Sequence, residues 1–488
     1  MNLLKALTIV FLCTCNSAVG QNAFGALHSN YTPTNSLYVN PSSILDAKVW
    51  LDINIVGAGV YLNNDFVHLN NHSLASVASE GAEGTSSIVE TDVDFNQSRK
   101  NYHMYNRNFV VAPSVVWSQG DHAAALSIGG RSYTGLRKLP DFAARFIEYG
   151  VPDYPAQHDI NYTASNVRLA SLSFAEIKLT YAYTFLKKRR NMFMAGATFS
   201  KFFSVAGGAA NIYNFNLLVD NDSIIDVFNL EADAVYAWNK NINAKGGWGM
   251  DFGFTFQKML RDATSYYPNS PKMGCTNIPY KYKIGLSIID VGNVKFDPIL
   301  YQGYNFDQYT WLNYADQEIN DDNPADLFAP QEPDIGSGRV KNPNKIRLPT
   351  FVSAQFDYNL WASRVYINGT IIQGFGVAKN KFGLRHANSL SVTPRFESYW
   401  FDFALPFSLY EYRHPQLGAS MRLGPLTLGT DKLINWLFKS KIYGADIYLY
   451  VKVPIRYHPS CKDRQKGQRG GRGKRGRSRD NSPTKCTI

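Results

Sequence analysis

Apolar and polar residues alternate in one segment of this chain after another, and that rhythm limits the fold more than any other feature. Trp248, Met250, Phe252, Phe254 and Phe256 interleave with Gly249, Asp251, Gly253, Thr255 and Gln257. Tyr280, Tyr282, Ile284, Leu286 and Ile288 interleave with Lys281, Lys283, Gly285 and Ser287, and Val352, Ala354, Phe356, Tyr358 and Leu360 with Ser353, Gln355, Asp357 and Asn359. Successive strand side chains point to opposite faces, so each segment predicts a strand with one apolar and one polar side.

The pattern recurs at 49–55, 177–185, 193–199, 365–371, 390–396 and 447–453, and less regularly at 109–117, 123–129, 211–217, 225–236, 401–407 and 417–428. After the first 20 residues no stretch is apolar for the roughly 20 residues a spanning helix needs, which excludes a helical membrane protein. The expectation is an all-β chain: an antiparallel transmembrane β-barrel of about 14 strands, range about 12 to 16, with long loops on one side. A soluble sandwich also alternates, one face on its core and one in water. Strands of about nine to eleven residues favour the barrel, as do aromatic residues at apolar-strand ends, among them Trp248, Tyr280, Tyr358, Trp361 and Trp400. The chain holds 30 Tyr and 30 Phe to supply them.

The connections differ in kind. Ser118-Gln119-Gly120-Asp121 and Lys187-Lys188-Arg189-Arg190-Asn191 read as tight turns. Residues 63–108, 132–166, 260–278 and 301–347 read as long polar loops. In the second of these, Asp141, Phe142, Phe146 and Ile147, stopped by Gly150, predict a short amphipathic helix that enters the barrel or caps its mouth. The last carries Asp307, Asp316, Glu318, Asp321, Asp322, Asp326, Glu332 and Asp334 at spacings that match no calcium loop, so a solvated acidic loop is expected.

The ends have their own logic. Lys5, the apolar run Ala6 to Leu12 and the small residues Ala18-Val19-Gly20 form a secretory signal cut after Gly20. An acylated Cys15 is the alternative, against which Thr14 is a poor preceding residue. Of the remaining cysteines, Cys275, Cys461 and Cys486, at most one pair can form, and Cys461 with Cys486 would close the tail into a loop. The net charge of +11 is concentrated at the end of the chain: residues 462–488 hold ten Lys or Arg against two Asp, net +8, leaving +3 for the body. The organisation expected is a signal peptide at 1–20, a periplasmic or plug segment at 21–46, the barrel at 47–456 and a disordered basic tail at 457–488.

In order along the chain, Ser36-Leu-Tyr-Val-Asn-Pro-Ser-Ser-Ile44, Phe174-Ala-Glu-Ile-Lys-Leu-Thr-Tyr-Ala182, Gly285-Leu-Ser-Ile-Ile-Asp-Val-Gly-Asn293, Leu423-Gly-Pro-Leu-Thr-Leu-Gly-Thr430 and Gly444-Ala-Asp-Ile-Tyr-Leu-Tyr-Val-Lys-Val-Pro-Ile455 span nearly the whole mature chain. Their order resembles the DUF5723 outer-membrane proteins of Bacteroidota, which look akin to the FadL-like and PorP/SprF-like barrels. The resemblance implies an outer-membrane barrel with both ends in the periplasm and assigns no catalytic residue.

A search for chemistry returns little. Gly418-Ala-Ser420-Met-Arg422 lacks the second Gly of a nucleophile elbow. His68 and His72 lie four apart without an adjacent Glu base, so neither catalysis nor a metal is expected. No cofactor is expected, and the chain reads as a non-enzyme. In the strand pattern Asp251, Asp357, Arg364, Arg395, Asp446 and Lys452 point into the lumen, where they either set the field felt by a solute or pair with one another. The basic tail, with Arg469, Arg472, Lys474, Arg475, Arg477 and Arg479, lacks aromatic residues for base stacking. Behind a signal peptide it is expected on anionic periplasmic surfaces and not on nucleic acid.

The expected partners are outer-membrane lipid and other envelope proteins. The expected function is porin- or transporter-like passage of small solutes, hydrophobic ones included. One alternative is a structural partner in a secretion or gliding complex; another is a secreted sandwich that binds. Transport predicts a continuous channel or lateral opening, and a scaffold predicts a plugged lumen.

Overall fold

The computed structural model describes residues 23–461 apart from 84–87, 89–91, 97–98, 150–157, 222–223, 244, 272–274, 276, 298–299, 307 and 313–338. The signal peptide, Asp307, the acidic residues from Asp316 to Asp334, Cys486 and the tail from Lys462 onward lie outside the described residues, whereas 457–461, expected as the start of a disordered tail, are described and end on the buried Cys461.

Fourteen strands close into one antiparallel barrel. In chain order they are β1 (Leu51–Asn64), β2 (Asn101–Val111, continued by Ser114–Gln119), β3 (His122–Pro140), β4 (Asn161–Lys188) and β5 (Asn191–Val219). Next come β6 (Ile224–Asn243 and Trp248–Met259), β7 (Tyr280–Lys295, extended by Leu300–Phe306 and Tyr309–Leu312), β8 (Phe351–Trp361), β9 (Val365–Gly374) and β10 (Ser389–Glu397). The last four are β11 (Phe401–Ala404 and Phe407–Tyr410), β12 (His414–Leu417 and Ala419–Leu423), β13 (Leu426–Thr430) and β14 (Asp446–Ile455). β1 pairs with β14 from Leu51↔Ile455 to Tyr61↔Asp446, which removes both free sheet edges and excludes a sandwich. The breaks inside β2 and β11 fall at Pro113 and Pro406, where the chain has no N–H to give the ladder.

Alternation sets the two faces. On β4, Ile177, Leu179, Tyr181, Tyr183 and Phe185 face outward, Leu179 being 61% exposed, while Glu176, Lys178, Thr180, Ala182 and Thr184 are buried inside. On β6 the exposed Trp248, Met250, Phe252 and Phe254 alternate with the buried Asp251 and Thr255. No helix among the described residues is long and apolar enough to cross a membrane.

Four connections depart from the sequence expectation, the first being 132–166, read as a loop but strand up to Pro140 and again from Asn161. Residues 193–199 and 211–217 belong to one 29-residue strand, β5. The apolar pattern lapses between them at Gly207, where an added Cβ would lie 2.5 Å from the Phe296 ring, so the gap in the pattern marks close packing and not a turn. Residues 417–428, read as one strand, are two, because the chain reverses at Gly424 with φ +56°. The connection after Met259 is long but lies on the same side as the tight turns at Gly120 and Arg189, since Lys258 pairs with Asn191 at that end. The predicted helix is present as Asp141–Tyr149 and packs at the loop-side rim, Phe142 lying 4.6 Å from the Tyr162 ring.

Cys461 bonds Cys275, not Cys486, with Cα atoms 6.0 Å apart and 186 residues between them in sequence. The bond ties the long connection on the short-turn side to the segment after β14. Sequence spacing favoured the nearer cysteine; the fold brings the distant one alongside.

Candidate functional site

The lumen is filled from both ends. From the short-turn side residues 23–50 enter the barrel as two single helical turns, Phe24–Leu27 and Pro33–Ser36, and a 3-10 turn, Pro41–Ile44, nearly all of it buried. Pro33 and Pro41 start their turns at positions that need no N–H, and the Asn40 side chain caps the last by accepting from the Ser42 N–H at 3.0 Å. From the loop side, residues 375–388 dip inward and bury Phe382, Leu384 and His386. His386 accepts the Arg107 guanidinium at 2.5 Å and lies near the rings of Tyr105 and Phe351.

The plug is held to the wall by apolar and polar contacts together: Phe24, Leu27 and Val39 pack on Ile289, Phe351 and Ile372, and Leu37, Ile44 and Leu45 on Val116, Ala125 and Met194, beside a seam of hydrogen bonds. Asn40 donates to Gln355 Oε1 at 2.9 Å and to Thr255 Oγ1 at 3.3 Å, and Ser42 shares a hydrogen bond with Thr255 at 2.7 Å. Its closeness requires glycine opposite: a Cβ on Gly253 would lie 2.1 Å from Asn40 Oδ1, and one on Gly285 2.7 Å from its Nδ2. Asn30 donates to Glu397 from Nδ2 at 2.8 Å and from its backbone at 3.2 Å, and Lys48 reaches the same carboxylate at 3.4 Å. Ser29 donates to Asp402 at 2.7 Å, and Thr34 donates to Asp52 through N–H and hydroxyl. At the rim Asn269 donates to the carbonyls of Ala47 and Val49, and Tyr266 donates to Asp46 at 2.7 Å. Burial pushes the Asp46 carboxyl up to about 7, against the downward pull of the Tyr266 hydrogen bond and of Lys283 and Lys48.

Five of the six lumen candidates face inward and are engaged. Arg395 clasps Asp357 with two parallel bonds, 2.6 and 2.8 Å, and reaches Glu397 at 2.6 Å. Tyr280 also donates to Asp357. Asp251 holds Lys178 at 3.1 Å and accepts the Asp290 N–H at 2.7 Å. Lys452 donates to Thr34 and Asn35 of the plug, and Asp446 accepts the Asp431 N–H. The sixth, Arg364, is a correction. It sits exposed in the turn between β8 and β9, where Ala362 and Ser363 have φ of 50° and 56°, and turn residues do not follow strand alternation.

Sequence reasoning missed the centre of the network. Arg131 binds Asp290 at 2.7 and 2.9 Å and Glu176 at 2.6 Å, all nearly fully buried. Glu176 and Lys178 were findable, since they alternate with Ile177 and Leu179. Asp290 was not: a bulge with φ 59° turns it inward beside Ile289. A buried pair with both partners present costs little, whereas removal of one leaves an uncompensated charge at about 3–5 kcal/mol. These charges lock the plug and wall rather than lining an open path.

Two open cavities flank the filling. One of about 500 Å³ opens at the long-loop mouth between Arg99, Arg137, Arg168, Arg385, Tyr410 and Arg413, over Leu384 and Ala387. Another of about 390 Å³ opens on the short-turn side between Asn30, Lys48, Arg364, Tyr366 and Arg456. Between them a void of about 30 Å³ lies against the plug at His28, Asn30, Asn40 and Gln355.

Of the residues set aside on sequence, Ser420 lies buried in β12 beneath Gly25, and His68 and His72 sit in a small sheet beside Asp94 and Asp92. Among the described residues no group of His, Cys, Asp or Glu has the arrangement of a metal site.

A closed, internally plugged β-barrel is the class of protein that this geometry defines. The chain belongs to DUF5723, a family of unknown function whose model matches residues 41–431. No curated protein matches it. Among solved structures it is similar to the Ralstonia pickettii toluene transporter TbuX, with 8% identity over 87% of this chain and 94% of that one and a TM-score of 0.40. The P. putida toluene transporter TodX is similar at 10% identity over 87% and 95%, TM-score 0.38. A Pseudomonas aeruginosa FadL homologue is similar at 7% identity over 90% and 98%, TM-score 0.22. Likenesses this remote carry nothing about what this barrel handles.

Proposed function

We propose that this protein sits in an outer membrane, both termini on the periplasmic side, and passes small solutes past its own plug. The membrane placement is supported by the closed barrel, whose outer face is apolar from Leu179 on β4 through Phe252, Leu286 and Phe356 to Leu428 on β13. Both termini of the barrel lie on its short-turn side, which in such barrels faces the periplasm.

One observation carries the transport reading: open cavities at both ends of the lumen are separated by a non-covalent plug with a polar seam. Water can replace each hydrogen bond of the seam at a net cost of about 1 kcal/mol, so that part of the plug can loosen and restore its contacts. The filled lumen taken alone suits a scaffold in an envelope complex. The polar seam and the two mouths favour passage instead.

The test is in two stages. The protein should remain in the outer-membrane fraction and migrate differently in detergent gels before and after boiling. In liposomes, a variant with a weakened seam, N30A/N40A, should admit small solutes faster than the wild type. Equal impermeability of both, with an envelope protein co-purifying in fixed ratio, would favour the scaffold.

A further inference from the structure

The loop-side cavity carries positive charge that its walls do not cancel. Arg137 on β3 and Arg168 on β4 are register partners, directly opposite across the ladder, and both line the cavity. Like charges placed opposite on neighbouring strands are destabilising. The two acids at the mouth are already engaged: Asp65 holds Arg99 at 2.6 Å and Glu411 meets Arg385 at 3.4 Å. Arg168 donates to the Val377 carbonyl at 2.6 Å. Among the described residues no carboxylate pairs with Arg137, Arg168 or Arg413.

Guanidinium groups match carboxylate and phosphate oxygens with two parallel bonds each. The volume, about 500 Å³, falls within the roughly 300–1,000 Å³ of small-molecule sites, and Leu136, Leu384 and Tyr410 offer apolar surface beside the charges. A neutral solute leaves the charges of the opposed pair unmatched, and a single carboxylate matches only one of them.

We propose that the mouth cavity binds a small organic dianion, its oxyanion groups lying across Arg137 and Arg168 and its apolar body over Leu384. The proposal names the solute class for the passage reading above, and binding itself needs only the cavity.

Four probes on one ring separate the possibilities: phenyl phosphate, phthalate, benzoate and benzyl alcohol. Titration calorimetry on the full-length protein in detergent, at low ionic strength and mildly alkaline pH, should find both dianions at least about tenfold tighter than benzoate, with benzyl alcohol weakest. R137Q/R168Q should weaken both dianions at least about tenfold and leave benzyl alcohol unchanged, while keeping its heat-dependent gel mobility. R137K/R168K, which keeps the charge and loses the forks, should fall between. Benzoate or benzyl alcohol binding as tightly as the dianions would overturn the proposal, as would unaltered phenyl phosphate binding in R137Q/R168Q. Liposome uptake separates the two readings. Dianion binding without uptake, even by the weakened-seam variant, keeps the site and removes passage. Uptake with no preference among the four probes removes the site and keeps passage.

Discussion

Removing the Asn40 side chain should loosen the plug without unfolding the barrel. Its amide makes three bonds to the wall, with Gln355, Thr255 and the Phe254 carbonyl, and two within the plug, with the Ser42 N–H and hydroxyl. Thr255 and the Ser42 hydroxyl keep each other in N40A, at 2.7 Å. Gln355 Oε1 and the Ser42 N–H lose their partners. Three wall bonds lost at about 0.5–1 kcal/mol each, with up to about 1 kcal/mol more for the orphaned Gln355 Oε1, give roughly 2–4 kcal/mol of docking energy. At about 1.4 kcal/mol per tenfold, the open fraction of the plug should rise by about 30- to 1,000-fold. Hydrogen exchange in detergent reads that fraction on the amides of residues 23–47, while those of β8 and β9 should stay as protected as in the wild type. Plug exchange within about threefold of the wild type would refute the view that these bonds hold the seam.

Three further outcomes are expected. Asp46 binds a proton more readily docked than free, so docking is favoured most in acid and weakens as pH rises from about 4 to about 7; plug exchange corrected for intrinsic rate should follow this, and D46N should abolish the trend. C461S should leave Cys275 open to thiol labelling in the otherwise oxidised protein, whereas C486S should not; labelling of Cys275 in neither variant would contradict the pairing. L179R should lower the folding stability of the barrel in lipid by about 2–4 kcal/mol, and an unchanged denaturant midpoint would mean that this face does not meet lipid.

The wall was legible because an apolar outer face and a filled lumen impose one period of two on every strand. That period located the outward face of β6 from Trp248 to Phe256 and of β8 from Val352 to Leu360 residue by residue. It failed where the backbone slips. Tyr280, assigned outward with Ile284, turns inward to Asp357 because the register shifts between Lys258 and Met259. The glycines on the polar face gave no hint of a partner, yet Gly253 and Gly285 are small because Asn40 lies against them. The segment Ser36 to Ile44 stood out in sequence without disclosing its partners, since Asn40 and Gln355 lie 315 residues apart. Pairing across such distances depends on barrel closure, which no local pattern encodes.

The β4–β5 hairpin is longer than any bilayer requires. At about 3.3 Å per residue, 28 and 29 residues extend roughly 90 Å, against an apolar band about 25 Å tall in such barrels. Its outer half pairs on through the first part of β6 to the extension of β7, so the projection is a sheet with its amides bonded, not a loop with them free. Proteases cut where backbone can be drawn out of its bonds. In the orientation proposed above, a cell carrying this protein would display a blade that resists shaving, and shaving experiments on intact cells would under-report how much of the chain stands outside.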